Sequence, residues 1–194
     1  MSRPARAAIL ALLVAACGSG DFAAPRKLDD ACAILAERPA YRRAMKRAER
    51  KWGVPMSVQM ATIHQESKFI GNARTPVQWT LGVIPMGRQS SAYGYSQALD
   101  GTWDEYKVDQ RRPRAKRDDI GDAVDFMGWY MDLTTSELGI SKSDARNQYL
   151  AYHDGRNGYR RGTYRKKPWL LRVSQRVAER AAMYQRQLVA CRKA

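Results

Sequence analysis

The segment GVPMSVQMATIHQESKF, residues 53–69, has the pattern of a buried helix. Pro55 suits a first helical turn, and we expect the helix to run to about Lys68. On a 3.6-residue period its apolar side chains point in nearly every direction; they are Met56, Val58, Met60, Ala61, Ile63 and Phe69. A helix that is apolar all round lies inside a domain. The segment is therefore predicted to be the central helix.

The rest of the chain also favours helices, because almost no segment alternates apolar and polar residues as a half-buried strand does. We expect a break or kink at Pro39 and a long loop over residues 71–93. The helical segments predicted around the central helix are 28–51, 102–106, 118–134, 141–155 and 168–191, with a turn-rich basic loop at 155–167. The sequence thus predicts an all-α or mainly α domain of six or seven helices.

The first sixteen residues have the pattern of an export signal. Arg3 and Arg6 form a basic start, and residues 7–16 are an apolar run that is too short to span a bilayer. We therefore expect a secretory signal peptide over residues 1–16 and no transmembrane helix in the mature protein.

The end of this signal resembles a bacterial lipobox. Two alanines directly precede Cys17, which implies cleavage before Cys17 and acylation of that residue; a chance cysteine is the alternative. Residues 17–27 are expected to tether the folded domain, residues 28–194, to the membrane. Ser19 is not the Asp associated with inner-membrane retention, so we expect the protein on the periplasmic face of the outer membrane.

The chain is strongly basic, with 34 Lys and Arg against 19 Asp and Glu. Loss of Arg3 and Arg6 with the signal peptide leaves 32 against 19, a net charge of +13. Such a charge attracts polyanions over a distance that salt shortens. Nucleic acid is the commonest such partner, but an exported lipoprotein does not meet it. We expect the positive charge to attract the protein to cell-wall peptides, lipid head groups or lipopolysaccharide.

Two cysteines remain once Cys17 is assigned to lipid. Cys32 and Cys191 lie near the two ends of the domain. In an oxidising compartment they favour a disulfide that ties the first helix to the last, with two unpaired thiols as the alternative. The chain has only two histidines, and neither occurs in a metal-binding spacing, so we expect no metal and no cofactor.

One carboxylate stands apart from the others. Glu66 is the only Asp or Glu between Glu49 and Asp100, and it lies in the last turn of the predicted buried helix. Desolvation and the negative end of the helix dipole both raise the pKa of such a carboxyl. A lone acid that is neutral near pH 7 is suited to protonating the leaving oxygen of a glycoside. Some glycosidases use the sugar's N-acetyl group in place of a second carboxylate, so the pattern points to an N-acetylated sugar.

Three motifs resemble the catalytic domain of the soluble lytic transglycosylases, which shares the goose-type lysozyme fold. The family's central helix ends in Glu-Ser, as it does here at Glu66. The family's Gly-Leu-Met-Gln corresponds to GYSQ, residues 94–97, and its Ala-Tyr-Asn-Ala-Gly corresponds to AYHDG, residues 151–155. The motifs follow the family's order over residues 52–158. The resemblance implies a lysozyme-like helical domain.

This sequence departs from the family at several positions. Tyr95 and Ser96 replace Leu-Met in the second motif, while His153 and Asp154 replace Asn and Ala in the third. The stretch between Glu66 and the second motif is also longer than the family's usual connection. These departures change the residues expected to contact the substrate, whereas the acid Glu66 matches the family.

The resemblance implies a lytic transglycosylase that acts on the glycan strands of peptidoglycan; we expect it to be a monomer. Glu66 would protonate the oxygen of the β-1,4 bond between N-acetylmuramic acid and N-acetylglucosamine. As a carboxylate it would then deprotonate the C6 hydroxyl and close a 1,6-anhydro ring. Tyr152 matches a residue whose hydroxyl hydrogen-bonds the acid. The residues expected to bind substrate are Ser67, Ser90, Tyr95 and Gln97.

Other interpretations stay open at this point. Tyr152 could be a packed aromatic residue, and Gln97 could brace its loop. A lysozyme-type hydrolase would need a second carboxylate, for which Asp100 or Asp104 could serve, and a non-catalytic peptidoglycan-binding lipoprotein would keep the cleft without turnover. Among the tryptophans, Trp79 is the expected sugar-stacking residue.

Overall fold

The computed structural model describes residues 22–80 and 84–191. The predicted signal peptide and Cys17 lie outside the described residues. In chain order the elements are α1 (Ala31–Glu37), α2 (Pro39–Trp52), α3 (Met56–Ser67), β1 (Val77–Thr80), β2 (Ile84–Arg88), α4 (Asp100–Asp109), α5 (Ile120–Leu138), α6 (Ala145–Asp154), α7 (Arg156–Arg161), a 3₁₀ helix (Thr163–Lys166) and α8 (Pro168–Ala190). The described chain is thus mainly α-helical, which confirms the predicted fold class.

The helix α3 is the central helix, as predicted. It packs against α8, α6, α5 and α2, and Met60, Ala61 and Ile63 are completely buried. Polar residues on this helix are buried as well, and Gln59 uses its side-chain amide to donate to the carbonyl of Val54 at 2.8 Å. Because neighbours surround α3 on nearly every side, a residue near its end is positioned by the whole domain.

Helices α2 and α5 pack closely across a glycine. A Cβ on Gly128 would lie 2.2 Å from Cδ1 of Trp52, so only glycine permits this approach. Beside it, the buried carboxylate of Asp125 accepts hydrogen bonds from Lys51, Trp52, Tyr106 and Arg112 at 2.7 to 3.2 Å. A buried carboxylate is stable only with such partners. This cluster joins α2, α4 and α5.

Two segments predicted to be loops contain regular structure. Within 71–93, β1 and β2 form an antiparallel hairpin in which Thr80 pairs with Ile84. Within 155–167, the chain forms α7 and the 3₁₀ helix, separated by Gly162 in the left-handed conformation. The two helices are six and four residues long, which is too short for a hydrophobic period to be visible in the sequence. Their formation depends on tertiary contacts, including the stacked rings of Tyr159 and Tyr164, whose centroids lie 4.9 Å apart.

The two ends of the described chain are fastened together. Cys32 in α1 and Cys191 after α8 form a disulfide, with Cα atoms 6.3 Å apart. Next to it, the side-chain oxygen of Gln187 accepts a hydrogen bond from the backbone N–H of Ala31 at 2.8 Å. The break between α1 and α2 lies at Pro39, which is the first residue of α2. The N-terminal helix is therefore held on α8, the same helix that packs against α3.

We expect the double substitution Cys32→Ser and Cys191→Ser to lower the free energy of unfolding by about 2 to 5 kcal/mol. The disulfide restricts the unfolded chain over a separation of 159 residues. Urea denaturation with and without a reducing agent measures the effect. The double variant should not respond to the reducing agent, and a wild type that also fails to respond would contradict the prediction.

Candidate active site

The end of α3 places Glu66 where α3 meets the second motif. The helix terminates at Lys68 (φ 54°), and Phe69 also has a positive φ of 63°. Gln97 in the second motif has φ 49°. Three of the four non-glycine residues with positive φ in the described chain therefore lie around Glu66. Such conformations are unfavourable and cluster at functional sites.

The carboxyl group of Glu66 lies just below the surface. The side chain as a whole is half-buried, but Oε1 is closed to solvent and has no hydrogen-bond partner among the described residues. Burial raises the pKa of Glu66 from 4.5 to about 7, against smaller lowering effects from the Tyr149 hydroxyl and the Lys68 ammonium. The group is thus divided between acid and carboxylate near neutral pH.

The second motif forms a tight turn that is tied to the end of α3. Gly94 has φ 80°, and a Cβ there would lie 2.1 Å from the carbonyl oxygen of Arg117, so glycine is required. The hydroxyl of Ser67 donates to the carbonyl of Tyr95 at 2.9 Å. The side-chain amide of Gln97 donates to the carbonyls of Ala73 (3.0 Å) and Gly94 (2.8 Å). Gln97 therefore braces the loop, which is the alternative that the sequence left open.

The third motif lies on α6 and brings two tyrosines to the acid. The hydroxyl of Tyr152 donates to the carbonyl of Ser96 at 2.6 Å, and not to Glu66 as the resemblance implied. The charge of Glu66 still raises the pKa of Tyr152, after the larger effect of burial. Tyr149, one turn earlier on α6, has a hydroxyl that interacts with the Glu66 carboxyl. The tyrosine hydroxyl that lowers the pKa of Glu66 is thus that of Tyr149, whereas the resemblance implied an interaction with Tyr152.

Tyr149 was missed by sequence reasoning, although a signal was present. Residues three apart on a helix lie on the same face, so a residue in contact with Glu66 at position 152 implies a second at position 149. Tyr149 is only 3% exposed, and burial followed by the charge of Glu66 raises the pKa of its hydroxyl. The hydroxyl therefore stays protonated and available as a hydrogen-bond donor.

A groove of about 270 Å³ lies where the second and third motifs meet. Its lining combines polar groups from the motifs with aromatic rings of α5 and α6; it includes Gln97, Thr102, Phe126, Tyr130, Tyr152 and His153. The rings of Tyr130 and Tyr152 meet edge to face with centroids 5.2 Å apart. Tyr152 lines the groove, and the charge of Glu66 raises the pKa of the Tyr152 hydroxyl. The groove is therefore the candidate substrate site.

Two residues predicted to bind substrate are buried in the domain instead. Ser67 is 5% exposed and its hydroxyl is directed to backbone carbonyls. Tyr95 is 4% exposed, and its hydroxyl lies 3.0 Å from that of Tyr41. Ser67 points into the core from the end of α3, and Tyr95 points into the core from the turn of the second motif. This geometry does not support the predicted substrate contacts of the two residues, which stay predictions. Both side chains position the loop.

The other predicted residues have mixed outcomes. Ser90 is half-buried in the loop before the second motif, where its Oγ accepts from the N–H of Ala92 at 3.3 Å. It does not line the groove that contains Gln97 and Tyr152. The side chain of Trp79 lies outside the described residues, so its predicted stacking role stays a prediction.

The carboxylates suggested for a hydrolase are engaged elsewhere. Asp100 is paired with Arg117 at 2.8 Å, and Asp104 is paired with Lys107 at 2.8 Å. Both side chains are about two-thirds exposed, at 63% and 66%. Neither is among the groups that shift the pKa of Glu66. Within residues 22–80 and 84–191, no second carboxylate is therefore among the groups that shift the pKa of Glu66.

Two further findings concern ligands and membranes. No group of three or more potential metal ligands occurs in the part of the chain that the structure describes. None of the described helices combines the length and the apolar character needed to cross a bilayer.

The raised pKa of Glu66 predicts a pH-dependent gain in stability for Glu66→Gln. The folded state holds this proton up to about pH 7, whereas the unfolded chain releases it near pH 4.5. The wild type therefore loses stability as the pH rises from 4.5 to 7, by up to about 3 kcal/mol at about 1.4 kcal/mol per pH unit. Relative to wild type, Glu66→Gln should be more stable at pH 8 than at pH 4 by an amount of this order.

Urea denaturation at several pH values measures this difference, and Glu179→Gln, at an exposed position of α8, is the matched control. A stability difference between wild type and Glu66→Gln that stays constant from pH 4 to pH 8 would contradict the burial of the charge.

Comparison with known proteins agrees with this geometry. No curated protein and no solved structure matches the chain significantly. A protein-family model described as "Transglycosylase SLT domain" matches residues 5–191, almost the whole chain. The chain belongs to the transglycosylase SLT domain family.

Proposed function

We propose that this protein is a peptidoglycan lytic transglycosylase that cleaves the β-1,4 bond between N-acetylmuramic acid and N-acetylglucosamine. The observation that carries the proposal is the buried carboxyl of Glu66, whose pKa is raised to about 7 with no second carboxylate among the groups that act on it. Membership of the transglycosylase SLT domain family supports the same reaction class.

In the first step the acid form of Glu66 donates its proton to the glycosidic oxygen. The bond between that oxygen and C1 of the muramoyl residue breaks, and the N-acetylglucosamine leaves with a neutral hydroxyl. The positive centre at C1 is stabilised by the carbonyl oxygen of the muramoyl N-acetyl group, which takes the part of a second carboxylate. Glu66 is left as a carboxylate.

In the second step this carboxylate removes the proton of the C6 hydroxyl. The C6 oxygen then bonds to C1, the N-acetyl oxygen is released, and a 1,6-anhydro ring is closed without water. Glu66 ends the cycle protonated, so one group serves as acid and then as base. A pKa near the working pH is what this double task requires.

Tyr149 and Lys68 balance the two forms of the acid. Burial alone would favour the neutral form; the Tyr149 hydroxyl and the Lys68 ammonium both favour the carboxylate. They therefore stabilise Glu66 at the moment when it has lost its proton. Tyr152 and Gln97 line the candidate groove, which supports a role for both residues in contacting the glycan strand.

We propose that the protein is exported and held by a lipid on Cys17 at the periplasmic face of the outer membrane. The proposal is supported by the basic and apolar pattern of residues 1–16, by the two alanines before Cys17 and by the cysteine pair of an oxidising compartment. The basic surface suits the acidic peptides of the cell wall.

Muropeptide analysis tests the reaction. Digestion of peptidoglycan by the wild type should release products with 1,6-anhydro ends, whereas Glu66→Gln should release none above background, since glutamine cannot transfer the proton. Reducing ends in place of anhydro ends would indicate a lysozyme-type hydrolase. Equal binding of glycan strands by both proteins without products from either would indicate a non-catalytic peptidoglycan-binding lipoprotein.

The rate of muropeptide release is expected to fall as the pH rises through about 7, because Glu66 must begin the cycle protonated. The Tyr149 hydroxyl lowers the pKa of Glu66, so Tyr149→Phe should move this decline to higher pH. A pH–rate profile of each variant measures the shift. Tyr152→Phe is the matched comparison, since the Tyr152 hydroxyl donates to Ser96 instead. A pH–rate profile of Tyr149→Phe that matches the wild type would contradict the effect of the Tyr149 hydroxyl on the pKa of Glu66.

A further inference from the structure

The two departures in the third motif, His153 and Asp154, share a structural role. Asp154 ends α6, and its side chain is only 2% exposed. Its carboxylate accepts hydrogen bonds from the hydroxyl of Thr163 and the ammonium of Lys167. A buried carboxylate with two such donors fixes the backbone on both sides of the 3₁₀ helix. The start of α8 is therefore held against the end of α6.

This fixed segment presents a tryptophan to solvent. Trp169 is the second residue of α8, two positions after Lys167. Its ring meets the imidazole of His153 edge to face, with centroids 5.0 Å apart and planes at 78°. Even so, Trp169 is 47% exposed, whereas Trp103 and Trp129 in the core are 5% and 2% exposed. Tryptophan combines a large apolar surface with a polar N–H group, which suits it to interfaces with a ligand.

This tryptophan is adjacent to the candidate substrate groove through His153. His153 and Asp154 both line the groove together with Tyr152 and Gln97. The ring of Trp169 packs against His153, so the tryptophan lies next to a residue of the groove wall. The site is built before any ligand arrives, and a preformed surface loses little conformational freedom on binding.

We propose that Trp169, held by His153 and Asp154, is a binding platform for a sugar ring of the glycan strand next to the groove. The inference rests on the proposed function, since it takes a glycan as the ligand. One face of a pyranose ring presents only C–H groups, which are apolar and slightly positive. The face of an indole ring is apolar and negative, so the two surfaces match. The His153 and Asp154 departures then build a sugar subsite.

Binding to glycan strands freed of their peptides tests the inference. The full chain carrying Glu66→Gln is used so that no strand is cleaved during a calorimetric titration. In this background Trp169→Ala should raise the dissociation constant by roughly threefold to tenfold, and Trp169→Phe should raise it less because a ring remains. Val189→Ala, at an exposed position near the other end of α8, is the matched control and should bind as its parent does.

An unchanged dissociation constant in Trp169→Ala, with the melting temperature preserved, would overturn the inference. Loss of binding to vesicles of phosphatidylethanolamine and phosphatidylglycerol, with glycan binding intact, would overturn it in favour of a membrane contact. The proposed reaction is judged separately by the anhydro products of the protein that retains Glu66. A failure of catalysis and a failure of the platform therefore give different results.

Discussion

The Glu66 carboxyl is enclosed at the end of a helix that is itself buried. Burial removes water from the carboxylate and raises its pKa to about 7. The surroundings do not neutralise the group by pairing it, as they do for Asp125, whose carboxylate has four donor residues. The difference between these two buried acids is physical: one is satisfied and structural, and the other is left able to exchange a proton.

The parts of the fold that surround Glu66 serve to hold this environment in place. Ser67 fastens the end of α3 to the second motif, and Tyr152 fastens α6 to the same turn through Ser96. The oxygen atoms of Glu66 (Oε1) and Ser96 (Oγ) are buried without partners among the described residues. Buried polar atoms are nearly always hydrogen-bonded, and the exceptions are concentrated at functional sites. The unpartnered oxygen atoms of Glu66 and Ser96 both belong to the three motifs.

The sequence was sufficient for the features that rest on strong local patterns. The all-round apolar character of α3 and the isolation of Glu66 are both visible in the order of the residues alone. The directions of side chains at the motifs are not visible in this way. Tyr95 points inward from a turn in which Gly94 and Gln97 have positive φ, and Ser67 points inward from the end of α3. The contact of Tyr149 and the helix α7 depend on how α6 packs against its neighbours, which no local pattern records.

The pKa of Glu66 is measured by NMR titration of its carboxyl carbon in the folded, ¹³C-labelled protein. The signal is assigned by its absence in Glu66→Gln. The account predicts a midpoint of about 7. A midpoint near 4.5, the ordinary value of an exposed glutamate, would contradict it, because the carboxyl would then be ionised in the resting protein and unable to act as the acid.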